Sequence, residues 1–303
     1  MHKRRIVASA LPLFLLASFA NADEFDFELG LSYGSTEITS TTNPGIGPLS
    51  LEVEQDSDAI GLDATWFFDG VVSNEGPRER AAFLAQASSV AFSYLNLDGD
   101  VVLRTISSSP TIPSTEQRNS QSGDTYGLSG RYVWKDSGWY VIGSIASIDL
   151  EIDGVGSVDS DALAVGVGKY FGNRTAVDVT VSQADTSGSD DTDVSLSVTH
   201  IGDLGSTWQF AADGRLSTTE ALNSDGVYSV GLTLYPSRAF GFGASVGGAL
   251  GSSFDSTSYD IFASWFPSEA VGLRASVGLV DADEGPDTDT DEDIISVEGV
   301  FRF

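Results

Sequence analysis

The sequence predicts an all-β fold: a transmembrane, antiparallel, up-and-down β-barrel of about 14 strands, with one short helix in the first of its short-side turns. Three observations carry this. Apolar residues recur with a period of two in segment after segment, the spacing at which successive side chains point to opposite faces of a strand. The connections between segments alternate in kind, short turns flanked by Trp, Tyr and Phe on one side and stretches rich in Asp, Ser and Gly on the other. Beyond residue 22 no apolar run approaches the ~20 residues that a spanning helix needs. A soluble sandwich would also alternate, but it gives no reason for aromatics to be sorted to one set of strand ends.

At the amino terminus Lys3, Arg4 and Arg5 precede an apolar stretch over residues 6–19 and the small-residue site Ala20-Asn21-Ala22. This is the pattern of a cleaved secretory signal peptide over residues 1–22, leaving residues 23–303 as the barrel. The first strand follows at once, with Phe25, Phe27, Leu29, Leu31 and Tyr33 alternating with Asp26, Glu28, Gly30 and Ser32. A polar stretch over residues 35–58 leads to a second strand (Ile60, Leu62, Ala64, Trp66) that ends in Trp66-Phe67-Phe68.

Residues 74–86 break the period. Asn74 stands as a cap, Pro77 near a helix start, and good helix formers follow. This segment reads as a helix of two to three turns that packs against the barrel rim, with a plug or a periplasmic contact site as the alternative. A third strand (Val90, Phe92, Tyr94) is expected over residues 89–97, and a long loop over residues 98–124. A loop of that length tends to be functional, and its Val101-Val102-Leu103 run would be exposed to water if it stayed outside. It is therefore the favoured constriction loop, ahead of residues 35–58.

From Thr125 the rhythm is regular. Strands carrying Tyr126 to Trp134, Trp139 to Leu150, Asp161 to Phe171, Val177 to Val181, Val194 to Val198, Trp208 to Leu216, Tyr228 to Leu234, Phe240 to Val246, Tyr259 to Trp265 and Val271 to Leu279 follow in turn. The last begins near Asp293 and places Ile295, Val297, Gly299, Phe301 and Phe303 on one face, with Ser296, Glu298 and Arg302 on the other. An open edge in lipid would leave backbone groups unpaired, so the first strand must meet the last.

That final run, Val297-Glu298-Gly299-Val300-Phe301-Arg302-Phe303, resembles the terminal signature of bacterial outer-membrane β-barrels. In that family the closing strand with its terminal Phe is read by the barrel assembly machinery, which the resemblance implies for Phe303. The wording around Gly76-Pro77, Ala81-Ala82-Phe83-Leu84 and Ser88-Ser89-Val90 is similar to a group of uncharacterised porins of proteobacteria. The resemblance implies a Gram-negative outer membrane, contact with lipopolysaccharide, and short turns on the periplasmic side.

If the apolar faces meet lipid, the opposite faces line the lumen and present Glu28, Asp63, Asp178, Asp213 and Glu298 beside Arg131, Arg215, Arg274 and Arg302. Ionisable groups at membrane depth face a watered interior rather than lipid. These nine residues are the expected channel lining, or a charge network bracing the wall. Fourteen strands fall between the filled interior of about 8 and the open channel of 16 to 18. One inserted segment is enough to block such a lumen.

Composition narrows the function. Without the signal peptide the chain holds 12 basic and 44 acidic residues, a net −32, which disfavours nucleic acid as a partner and favours cations. Residues 281–293 hold eight carboxylates and no base; they lack the glycine of a calcium-binding loop and read as a solvated face, with loose bridging of divalent ions to lipopolysaccharide phosphates as the alternative. No cysteine is present, and the histidine left after residue 22, His200, is in phase with the lipid-facing Val198 beside a short turn. No catalytic site, metal centre or cofactor is therefore expected. The expectation is a porin or channel for passive diffusion of small solutes, leaning towards cations, more readily a monomer than a trimer. The alternative is a non-conducting barrel with a structural, adhesion or receptor role.

Overall fold

The computed structural model describes residues 24–42, 49–72, 75–107, 114–186, 189–219, 224–250, 255–283 and 288–303. The expected signal peptide and the cap Asn74 lie outside them. Fourteen strands run β1 (Glu24–Thr42), β2 (Leu49–Val72), β3 (Ser89–Ser107), β4 (Thr115–Trp134), β5 (Trp139–Ile152), β6 (Gly156–Phe171), β7 (Thr175–Thr186), β8 (Ser189–Leu204), β9 (Trp208–Thr219), β10 (Ser224–Ser237), β11 (Phe240–Leu250), β12 (Asp255–Trp265), β13 (Val271–Asp283) and β14 (Thr288–Arg302). Each pairs antiparallel with its sequence neighbours, and β1 pairs with β14, so the sheet closes on itself.

The chain ends make the seam. Phe303 donates its N–H to the Phe27 carbonyl at 2.9 Å and its own oxygen accepts from Asp26 and Phe27. The register then runs from Glu28 opposite Arg302 to Thr42 opposite Thr288. Among the described residues every strand pairs with a neighbour on each side, the closure that a bilayer imposes on a sheet.

The outer surface fits that solvent. Aliphatic side chains such as Ile60, Ile145, Leu163, Val165, Leu216, Val230, Ile261 and Leu279 stand exposed around the wall. All five tryptophans (Trp66, Trp134, Trp139, Trp208 and Trp265) are exposed at the end of the short turns, where Phe27 and Phe303 stack 6.3 Å apart. Towards the other end tyrosines take over. Tyr33 donates to Asp58 at 2.7 Å and Tyr94 to Asp124 at 2.6 Å, each ring in the apolar belt with its hydroxyl turned to the polar side. Between Tyr126 and Trp134 lie about 26 Å of strand at ~3.3 Å per residue, which with the tilt of a barrel matches an apolar band of roughly 25 Å or less.

Two expectations are overturned. Residues 98–107 and 115–124 are not a constriction loop: they belong to β3 and β4, paired from Asp98 opposite Ser122 to Thr105 opposite Thr115. Val101 and Val102 are buried within this extension of the wall, so no entry into the lumen is needed to shelter them. The stretch over residues 35–58 likewise contributes to β1 and β2, which pair as far as Thr42 opposite Leu51. Arg104 ties this tall wall together, bound to Glu52 at 2.8 Å, to Glu116 at 3.1 Å and to Glu54. Several carboxylates of residues 281–293, including Asp281, Asp289, Asp291 and Asp293, also lie in paired strands rather than in a loop.

The second correction is local. Phe25 does not share the lipid face of Phe27, because the β1–β2 register shifts between these two residues. The bulge turns Phe25 inward, where it is 2% exposed and meets Phe67 edge-on at 5.6 Å. The slip is large: Phe25 stands opposite Val71 and Phe27 opposite Trp66, so Asp26 of β1 faces four residues of β2, 67–70, and the irregularity re-aims the side chain.

Candidate functional site

The lumen is shaped by the connection between β2 and β3. Gly76 has φ +75°, a conformation that glycine adopts without strain, and a Cβ there would lie 2.5 Å from Leu84. The chain then forms a 3-10 turn (Arg78–Arg80) and a single helical turn, α1 (Ala81–Leu84). The expected helix therefore forms, shorter than read, and it does not merely pack against the rim. Its side chains reach opposite walls at once, which is possible only through the mouth of the barrel.

On one side the contacts are polar. Arg78 donates to Glu269 at 2.7 Å and to the Phe266 carbonyl at 2.7 Å. Glu79 accepts from Ser264 at 2.8 Å and from Tyr235 at 3.0 Å, and lies 3.4 Å from Arg274. Arg80 binds Asp213 at 2.6 Å and Tyr235 at 3.2 Å. Three consecutive charged residues thus engage β9, β10, β12, β13 and the β12–β13 turn. These are charge-assisted hydrogen bonds, roughly twice as strong as neutral ones.

The apolar contacts are spread around the mouth, on the charged wall as well as across from it. Ala81 and Ala87 pack with Phe25, Phe67 and Val71, and Leu84 packs with Ile201, Ala211 and Tyr235. Phe83 lies 5.3 Å from the Tyr170 ring, which lies 5.1 Å from Tyr140. Ser88 closes the segment by accepting the Val133 N–H at 3.0 Å.

The nine sequence-predicted residues fall around this plug. Arg302, 4% exposed, donates to Glu28 at 2.7 Å and to the Arg78 carbonyl at 2.8 Å, with its guanidinium 4.7 Å from both the Phe25 and Phe266 rings. Glu298 stands opposite Arg274 in the β13–β14 register. Asp63 and Glu298 converge over Gly30, where a Cβ would lie 3.3 Å from Asp63 and 3.6 Å from Glu298. Asp213 accepts from Thr199 at 2.8 Å as well as from Arg80. Asp178 accepts from Tyr140 at 2.9 Å, Arg131 donates to Tyr170 at 3.2 Å, and Arg215 donates to Ser195 at 3.4 Å. Glu28, Asp63, Asp213, Arg274, Glu298 and Arg302 are thus gathered around the charged side of the plug; Arg131 and Asp178 meet through the tyrosines on the other, and Arg215 stays with Ser195.

Sequence reasoning missed Arg78, Glu79, Arg80, Tyr140, Tyr170 and Tyr235. The tyrosines were legible by phase: Tyr140 stands one residue out of step with the outward Trp139 and Val141. Gly168 lets Tyr140 lie flat on the wall, since a Cβ at that position would lie 2.3 Å from its ring. Beside the plug a cavity of about 370 Å³ remains, lined by Phe67, Ala82, Ala87, Ser129, Arg131, Ile142 and Thr180 among others. At the same end, Asp203 accepts from Gln209 at 2.9 Å and from Arg174 at 2.5 Å.

These features define a closed 14-stranded antiparallel barrel with an apolar exterior and a plugged, charged lumen. The sequence matches no family model and no curated protein. Among solved structures, the chain is similar to the outer membrane protein Omp33 of Acinetobacter baumannii, at 20% identity and a TM-score of 0.54, over 92% of this chain and 99% of that one. It is also similar to the COG4313 outer membrane channel of Pseudomonas putida F1, at 12% identity and a TM-score of 0.46, over 92% and 96%. The first likeness establishes the shared fold.

Proposed function

We propose that this protein is an outer-membrane channel for passive diffusion of small solutes, closed or narrowed at its periplasmic end by the β2–β3 segment, and not an enzyme. The observation that carries this is the segment itself: Arg78, Glu79 and Arg80 bind β9 to β13 while Phe83 meets Tyr170 of β6, so one short stretch spans a lumen that its strand number alone would leave passable. A segment tied across the mouth by side-chain contacts suits a narrowed passage better than a purely structural wall. The name of the similar barrel Omp33, an outer membrane protein, supports the outer-membrane placement. His200, bonded to Thr175 at 2.8 Å and beside Phe210, sits at the turn end of the wall and gives no catalytic arrangement.

The finer reading is a cation preference. The carboxylates of the tall β1–β4 wall and of residues 281–293 raise the local cation concentration at the outer mouth. The nine charged lumen residues act as the lining, Phe303 as the assembly signal, and lipopolysaccharide as the outer-leaflet neighbour of a monomeric barrel. A liposome-swelling assay with uncharged sugars of graded size checks the channel role. Swelling by the smallest sugars, with a sharp cut-off, is expected; vesicles that stay impermeable both to the full chain and to a variant with residues 77–87 replaced by a short Gly-Ser turn would return the non-conducting barrel as the better account.

A further inference from the structure

We propose that the cavity beside α1 is a subsite for a carboxylate group, held by Arg131. This rests on the channel reading and names the chemical group that one local site inside an otherwise cation-leaning passage holds. Arg78, Arg80, Arg274 and Arg302 each have a carboxylate within salt-bridge distance. Arg131 has none among the described residues. Its guanidinium donates once, to Tyr170, and is stacked 5.2 Å over Tyr140, while Asp178 is engaged by the Tyr140 hydroxyl. A guanidinium carries five donors in a fixed fork, so most remain for a ligand.

The site is built around that fork. The Tyr140 ring, seated over Gly168, fixes the plane of the guanidinium. Ser129, Ser144 and Thr180 supply hydroxyls, and Phe67, Ala82 and Ile142 supply an apolar wall. Thr180 is paired with Ser195 across β7 and β8, and Ser195 accepts from Arg215, the other inward guanidinium of the span without a carboxylate partner among the described residues. The cavity thus has a positive anchor and an apolar side, with Arg215 further round the wall on β9. A volume of about 370 Å³ admits a small organic molecule.

The shared chemistry is a carboxylate on a small organic body, carried either by a zwitterion or by a simple organic acid. Calorimetric titration of the refolded barrel with L-valine, isovalerate and isovaleramide separates these. The two carboxylates are expected to bind about tenfold more tightly than the amide. Arg131→Gln removes that preference, Arg131→Lys keeps part of it, and Arg118→Gln, on the exposed outer wall, leaves it intact. Valine ahead of isovalerate identifies a zwitterion subsite, and the reverse order an organic-acid subsite. Equal binding of all three, binding of none, or a preference that survives in a folded Arg131→Gln barrel overturns the proposal. Conductance is a separate readout: a barrel that binds carboxylates without conducting refutes the channel, and one that conducts without the preference refutes the subsite.

Discussion

At the scale of single residues, Arg302 concentrates the most function in the least space. It is buried between two aromatic rings, paired with Glu28, and holds the Arg78 carbonyl of the plug. Arg302→Ala leaves Glu28 unpaired and the ring faces apart, a loss of about 2–3 kcal/mol from a largely buried pair; the temperature at which the folded band shifts on a gel should fall. Glu79→Gln keeps the volume but weakens the bonds from Tyr235, Ser264 and Arg274. Its expected effect, about 1 kcal/mol, is a roughly fivefold rise in the open population, read as open probability in a bilayer. Gly168→Ala acts in the other direction. The added methyl drives Tyr140 off the wall and into the passage, so conductance should drop while the barrel still folds. The sequence exposed Arg302 by its phase in the last strand, but not the roles of Glu79 or Tyr140, because hydrogen bonds between residues far apart in the chain leave no local pattern.

At the scale of elements, the strands within the apolar belt were legible because lipid outside and water inside enforce a strict period of two. Past Tyr33, Ile60, Asn96 and Asp124 that rule lapses. Outward positions of β2 to β4 become Glu52, Glu54, Arg104 and Glu116, while Val101 goes to the interior, so the polarity of the alternation inverts and the strand reads as a loop. Phe25 was misplaced for a similar reason, since a bulge shifts phase without a sequence signal as plain as a proline. The helix was legible from Pro77 and the following alanines, but its destination was not. Nothing in a one-dimensional pattern tells a rim from a lumen when small residues suit both. The closing strand offers its own check: removing Phe303 deletes the hydrogen bonds to Asp26 and Phe27 that start the β1–β14 seam, and the yield of heat-shiftable, folded barrel should fall several-fold in refolding.

At the scale of the whole molecule, a closed sheet, an apolar exterior and a charged interior combine into a lumen crossed at its short-turn mouth by one segment. On the proposed cation preference, the zero-current potential in a salt gradient is expected to lean towards cations, more strongly at low ionic strength, where the Debye length is longer. An anion preference would contradict the role given to the acidic outer wall. The most direct measurement of the central claim is the single-channel conductance of the refolded barrel beside a variant in which residues 77–87 are replaced by a short Gly-Ser turn. Small or intermittent currents from the full chain and large, steady currents from the variant are the predicted result. Equal currents from the two, or silence from both, would mean that this segment does not govern the lumen.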